Sequence, residues 1–251
     1  MITEYHRPDK LEDALDLLAR TNPLTVPLGG GTVLNQPSDQ QVAVVDLQAL
    51  GLNLIEPRGR TLSIGATVTL QALLDASKTP LVLKAAIRHE ATYNIRQVAT
   101  VAGALMAADG RSPFAAAILA LAPELTLQPG DEKVSYGELL PLRAEQMPGR
   151  LITYVAIPLD VKLAYQYVAR SPADLPIVCA AVAKWPSGRT RVVLGGYGES
   201  PLLAMDGPNP QGADIAARDA YREAGDQWAS AEYRSDVAAK LTRRCIDEFE
   251  N

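Results

Sequence analysis

The stretch 28-LGGGTVL-34 sets three glycines, Gly29, Gly30 and Gly31, between an apolar run and the hydroxyl of Thr32. Glycine accepts positive φ and leaves the main chain open to close approach, so successive amides there can form a concave nest for a phosphate. A second small-residue segment, Ala99-Thr100-Val101-Ala102-Gly103, is followed by Asp109-Gly110-Arg111-Ser112 at the mouth of a helix. A helix N-terminus favours anions. The glycine run has neither the G-x-G-x-x-G spacing of a dinucleotide fingerprint nor the Gly-Lys-Ser/Thr end of a P-loop. Taken singly, each segment reads as well as a tight turn or a close helix packing. Taken together, two loops that each offer amides and a threonine hydroxyl suit a diphosphate gripped from both sides.

Little else in the chain offers chemistry. His6 and His89 adjoin no nucleophile, while Glu90 and Asp131-Glu132 read as solvated carboxylates and Arg243-Arg244 as an exposed helix face. Cys179 and Cys245 fit no disulfide framework, zinc site or iron–sulfur spacing and read as packed thiols. No catalytic side chain and no metal ligand is expected. The 251 residues, 47% hydrophobic and 21% charged, leave room for two or three compact units, and a net charge of -5 argues against a grip on nucleic acid. No stretch approaches the roughly 20 apolar residues of a membrane span, and the N-terminus has no leader pattern, so a cytoplasmic protein is expected.

The loops need elements to hold them. The segment 9-DKLEDALDLLAR-20 places Leu11, Ala14, Leu15 and Leu18 at helical spacing, with Asp9 and Glu12 set for a capping box. A buried strand is predicted at 42–47, and a hairpin from 52–56 and 61–66 across a turn at Pro57-Arg58-Gly59. Helices are predicted near 70–76, 80–91 and 113–122. From about residue 150, four β-like runs at 150–158, 162–170, 176–185 and 189–198 read as an antiparallel meander. The stretch 199–214 reads as a loop. A final helix carries Tyr233, Val237, Leu241, Cys245 and Phe249 on one stripe. The order of elements is α+β.

At this point a resemblance becomes specific. The segments 4-EYHRPDKLEDALDLL-18, 28-LGGGTVL-34, 43-AVVDLQAL-50, 64-IGATVTLQAL-73, 95-IRQVATVAGALMAAD-109, 163-LAYQYVAR-170 and 231-AEYRSDVAAKLTRRC-245 are similar to the FAD-binding subunit of the molybdenum hydroxylase family. The resemblance implies an α+β fold of two small FAD-binding subdomains, 1–55 and 56–148, and a C-terminal antiparallel sheet-and-helix domain, 149–251. It implies FAD as cofactor, with Leu28, Gly29, Gly30, Gly31, Thr32, Val33 and Leu34 on one side of the diphosphate and Ala99, Thr100, Val101, Ala102 and Gly103 on the other. Asp109 or Ser112 would lie near a ribose, and Tyr167, at a position where relatives often carry a lysine, would pack near the flavin. The implied function is electron transfer from the iron–sulfur clusters of a small partner subunit, fed by a molybdopterin-binding large subunit, through FAD to an external acceptor. Two other readings stay open on the residues: an assembly subunit that has lost the flavin, and a free-standing flavoenzyme.

Overall fold

The structure is a computed structural model that describes residues 1–36 and 39–250. The chain opens with β1 (Ile2–His6), α1 (Leu11–Leu18), β2 (Thr25–Leu28), β3 (Val42–Asp46), β4 (Ile55–Arg58) and β5 (Thr61–Gly65). Then come α2 (Leu70–Asp75), α3 (Leu81–Glu90), α4 (Tyr93–Val98), α5 (Val101–Ala107), α6 (Pro113–Ala120), β6 (Glu124–Gln128), β7 (Glu132–Ser135) and α7 (Tyr136–Gln146). The last elements are β8 (Leu151–Pro158), β9 (Lys162–Val168), β10 (Val178–Lys184), β11 (Thr190–Gly195), β12 (Leu202–Gly207), α8 (Ala213–Ala220) and α9 (Ala231–Asp247). Helices and mostly antiparallel sheets in this order make the fold α+β.

The residues form two compact units, neither continuous in sequence. The first joins 1–77, 93–107 and 123–156; the second joins 78–92, 108–122 and 157–251.

The first unit holds two sheets. Strands β1, β3 and β2 are parallel, in that spatial order. The central strand reads Val-Ala-Val-Val-Asp because four of its five residues are buried, as in the middle strand of a covered parallel sheet. Helix α1 packs Ala14 and Leu18 with Val45, Leu47, Leu52, Ala66 and Leu151. Its expected capping box does not form: Lys10 is the N-cap and no side chain caps the end. The second sheet runs β4-β5-β8-β6-β7. Pro57 and Arg58, expected in the turn, belong to β4, an edge strand where a missing N–H costs no ladder bond. The run 150–158 is not part of the meander either. As β8 it pairs antiparallel with β6, and alternation alone cannot say which sheet a strand joins.

The second unit is built on the antiparallel sheet β12-β11-β10-β9. Helices α8 and α9 bury Ala213, Ala217, Ala238, Leu241 and Cys245 with Val178, Ala180, Val182, Val192 and Leu194 of the sheet. Helix α6 is buried all round and packs on β10 and β11 and on α3. The stretch 199–214 is not simply a loop, because it contains β12, an edge strand whose Gly and Pro neighbours hid it.

The stripe of α9 follows the expected one except at its head: Leu241 and Cys245 are buried, and Val237 and Phe249 pack against the same core. Tyr233 is 45% exposed, whereas Arg234 beside it is fully buried and heads the buried row Ala238, Leu241, Thr242 and Cys245. The Arg234 guanidinium donates to the carbonyls of Ile177 and Gly196 and to the Asp226 carboxylate. An apolar pattern cannot anticipate a charge satisfied in this way.

Candidate functional site

Strands β2 and β3 end side by side at Leu28 and Asp46, and ligands of parallel sheets bind beyond such carboxyl ends. The glycine loop leaves β2 there. A cavity of about 320 Å³ opens beside it, lined by Gly29, Gly30, Gly31, Thr32, Val33 and Leu34 on one side and by Thr100, Ala102 and Gly103 on another. All of it lies within the first unit.

The glycines are required first by the protein itself. A Cβ on Gly29 would stand 2.5 Å from the Thr100 hydroxyl oxygen, and one on Gly30 would overlap the Val98 carbonyl. Gly31 has φ +70, the left-handed region that side chains disfavour. Two backbones therefore meet here, and the second loop is what comes so close to the first.

The two loops then differ in what they present. Among the described residues, the amides of Gly29, Gly30, Gly31, Thr32 and Val33 donate no backbone hydrogen bond. The Gly29 carbonyl accepts from the Gln48 side chain at 3.2 Å, and Gln48 is held in turn by its amide on the buried Asp46 at 2.9 Å. In the second loop the amides are already engaged. Val101 N–H donates to the Val68 carbonyl at 2.8 Å, Ala102 N–H to Ala66 at 3.2 Å, and Gly103 N–H to the Thr100 hydroxyl at 3.2 Å. Thr100 thus caps α5 from within, and that loop offers a small-residue wall and one hydroxyl rather than a second nest.

Leu28 closes β2, with Cδ1 against the Gly31 position, while Ala99 and Val101 are buried in the core of the unit. Asp109, Ser112 and Tyr167 belong to the second unit. There Asp109 accepts from the Arg111 amide at 2.8 Å. Gly110 is pinned by bonds to the Gly196 amide and the Gly198 carbonyl at 2.7 and 2.9 Å. Ser112 caps α6 through the Ala115 amide at 3.0 Å.

Glu90, expected as a solvated carboxylate, is the carboxyl group at that helix end. It accepts from the Ser112 hydroxyl at 2.8 Å and from the Phe114 amide at 3.0 Å. Burial raises its pKa, against the lowering by those two bonds. Tyr167 packs its ring 4.1 Å from His89 and stacks 5.8 Å from Tyr165. Burial pushes the Cys179 thiol up to about 12, which suits a packed thiol.

Sequence reasoning missed much of the remaining wall of the cavity, Leu47, Ala66, Met106, Met147, Arg150 and Leu151 among it. One local signal was available. Met147-Pro148-Gly149-Arg150 is a type II turn, with Gly149 at φ +72 and the Arg150 amide donating to the Met147 carbonyl at 2.9 Å, and it presents both end residues to the cavity. The set fits a dinucleotide: unengaged amides and a guanidinium suit a diphosphate, and the apolar, methionine-bearing wall suits a flat ring.

Residues 1–160 match the family model described as the FAD binding domain in molybdopterin dehydrogenase. The chain is 29% identical over 276 residues to the carbon monoxide dehydrogenase medium chain of Afipia carboxidovorans, covering 97% of this chain and 95% of that one. It is 31% identical over 210 residues to the uncharacterized protein YgfM of Escherichia coli, covering 82% of this chain and 79% of the other. In fold it is similar to a chain of the carbon monoxide dehydrogenase of Hydrogenophaga pseudoflava, with a TM-score of 0.81 at 19% identity over 98% of this chain and 96% of that one. The family model covers the larger part of the chain, and a medium chain of the same kind aligns with nearly all of it: the protein belongs to the FAD-binding subunits of the molybdenum hydroxylases, a family of oxidoreductases, and its cofactor is FAD.

Proposed function

We propose that the chain is the electron-transfer subunit of a molybdenum-containing dehydrogenase complex. It would receive electrons from the iron–sulfur clusters of a small subunit, supplied by a molybdopterin-binding large subunit, and deliver them to an external acceptor. The observation that carries the reading is the cavity shared by the two loops, with the amides of Gly29 to Val33, unengaged among the described residues, on its rim. When bound, FAD supplies the redox chemistry, and the protein supplies binding, orientation and exclusion of water. Gly29 to Val33 offer their amides to the diphosphate. Thr100 offers a hydroxyl, and Ala102 and Gly103 keep the approach open. Asp109, Ser112 and Tyr167 are carried in this proposal as further contacts of the cofactor, and the three-part division at 55 and 148 as its domain plan.

The test is electron transfer in the assembled complex. The chain, loaded with FAD and mixed with the two partner subunits, is expected to show bleaching of flavin absorbance when the complex is given its reducing substrate. Flavin that stays oxidised while the iron–sulfur centres are reduced would overturn the electron-transfer role.

A further inference from the structure

Among the described residues lining the cavity, Arg150 is the only one that carries a charge. A diphosphate brings about two negative charges, and an anion entering a largely apolar cavity needs both hydrogen bonds and a countercharge. The amides of the glycine loop supply hydrogen bonds without net charge. We propose that Arg150 supplies the countercharge, exchanging its ion pair with Glu132 for the cofactor's diphosphate; this rests on the FAD reading above.

Three observations support the assignment. The type II turn at 147–150 fixes the backbone of Arg150 at the cavity wall, so its position does not depend on a free-swinging loop. The guanidinium, on a side chain 23% exposed, pairs with Glu132, whose own side chain on β7 is 56% exposed, and a partner that water reaches this well is held weakly and is exchangeable. Arginine's planar fork matches phosphate oxygens two at a time, which a carboxylate held in solvent competes with poorly. Glu132 therefore sets how much of the guanidinium's attraction is left for the ligand. The arrangement makes cofactor affinity sensitive to ionic strength and to a residue that need not touch the cofactor.

The experiment titrates FAD into the full chain and into Arg150→Gln, Arg150→Lys and Glu132→Gln, measuring dissociation constants at low and high salt. Circular dichroism checks that each variant is folded. Arg150→Gln is expected to weaken FAD tenfold to a hundredfold, as loss of a charge-assisted hydrogen bond does, and to flatten the salt dependence. Arg150→Lys should recover part of the affinity, since it keeps the charge and loses the fork. Glu132→Gln should tighten FAD severalfold. If the wild-type chain binds FAD while Arg150→Gln and Glu132→Gln bind with unchanged affinity and salt dependence, the role of Arg150 is overturned and the FAD reading stands. If the folded wild-type chain takes up no FAD, the FAD reading falls and this inference with it. Should Arg150→Gln fail to fold, Glu132→Gln decides alone, and unchanged affinity there overturns the proposal.

Discussion

Two glycines of one run answer to different forces, and their variants should behave differently. A methyl group at Gly30 has to displace the Val98 carbonyl, so Gly30→Ala shifts one loop against the other and costs several times what Gly31→Ala costs. At Gly31 the nearest obstacle is the Leu28 side chain at 3.4 Å, and the penalty is the left-handed backbone alone, about 1–2 kcal/mol. Chemical denaturation of the two variants checks the order, and equal losses would contradict it. The glycine run was thus legible in the sequence as a close approach, but not what approaches, because Val98 and Thr100 are brought there by chain folding. Arg150 was legible only as the end of a Pro-Gly turn, because the cavity it lines is likewise assembled by chain folding. Glu90 adds a pH effect. Its folded pKa is raised, so its contribution to stability is present below the ordinary carboxylate range and is lost as pH rises through the raised value. Glu90→Gln keeps an acceptor for the Phe114 amide and removes the titration. Its unfolding free energy is expected to fall less with rising pH than that of the wild type, and parallel profiles would rule the effect out.

Among the elements, periodicity located most helices and strands but misjudged the head of one helix face, at Tyr233. The spacing of Tyr233, Val237 and Leu241 is helical, yet the buried row of α9 begins one residue later, at Arg234. Tyr233→Ala is accordingly expected to change stability by no more than about 0.5 kcal/mol, and Leu241→Ala to cost roughly 2–5 kcal/mol. Arg234→Met leaves two carbonyls without their side-chain donor and Asp226 without its countercharge, and should cost about 3–5 kcal/mol. Urea unfolding of the three variants reads all of this at once, and a Tyr233→Ala loss as large as that of Leu241→Ala would put Tyr233 back in the buried stripe. Two of the elements that escaped the sequence share a physical trait. Strand β12 is an edge strand flanked by Gly and Pro, and α7 carries Pro141 inside it, so each violates the local pattern that would have announced it.

For the molecule as a whole, the α+β class was legible, while the assembly of each unit from distant segments was not. Residues 78–92 and 108–122 join the C-terminal unit because α6, apolar on every side, needs cover all round, and it finds that cover on β10, β11 and α3. A fragment of residues 157–251 lacks this layer and is expected to expose the apolar face of its sheet, bind hydrophobic dyes and unfold without cooperativity. A cooperatively folded monomer would contradict that. The central claim, that FAD occupies the cavity between the glycine loop and α5, is tested most directly at Ala102, which lines that cavity from a helix, where leucine is nearly as good a former as alanine. FAD content of the purified, folded wild-type chain and of Ala102→Leu is measured after saturation with added cofactor. The account predicts one FAD per wild-type chain and loss of most of it in Ala102→Leu, whose added bulk fills the site. Equal, stoichiometric FAD in both proteins would place the cofactor elsewhere.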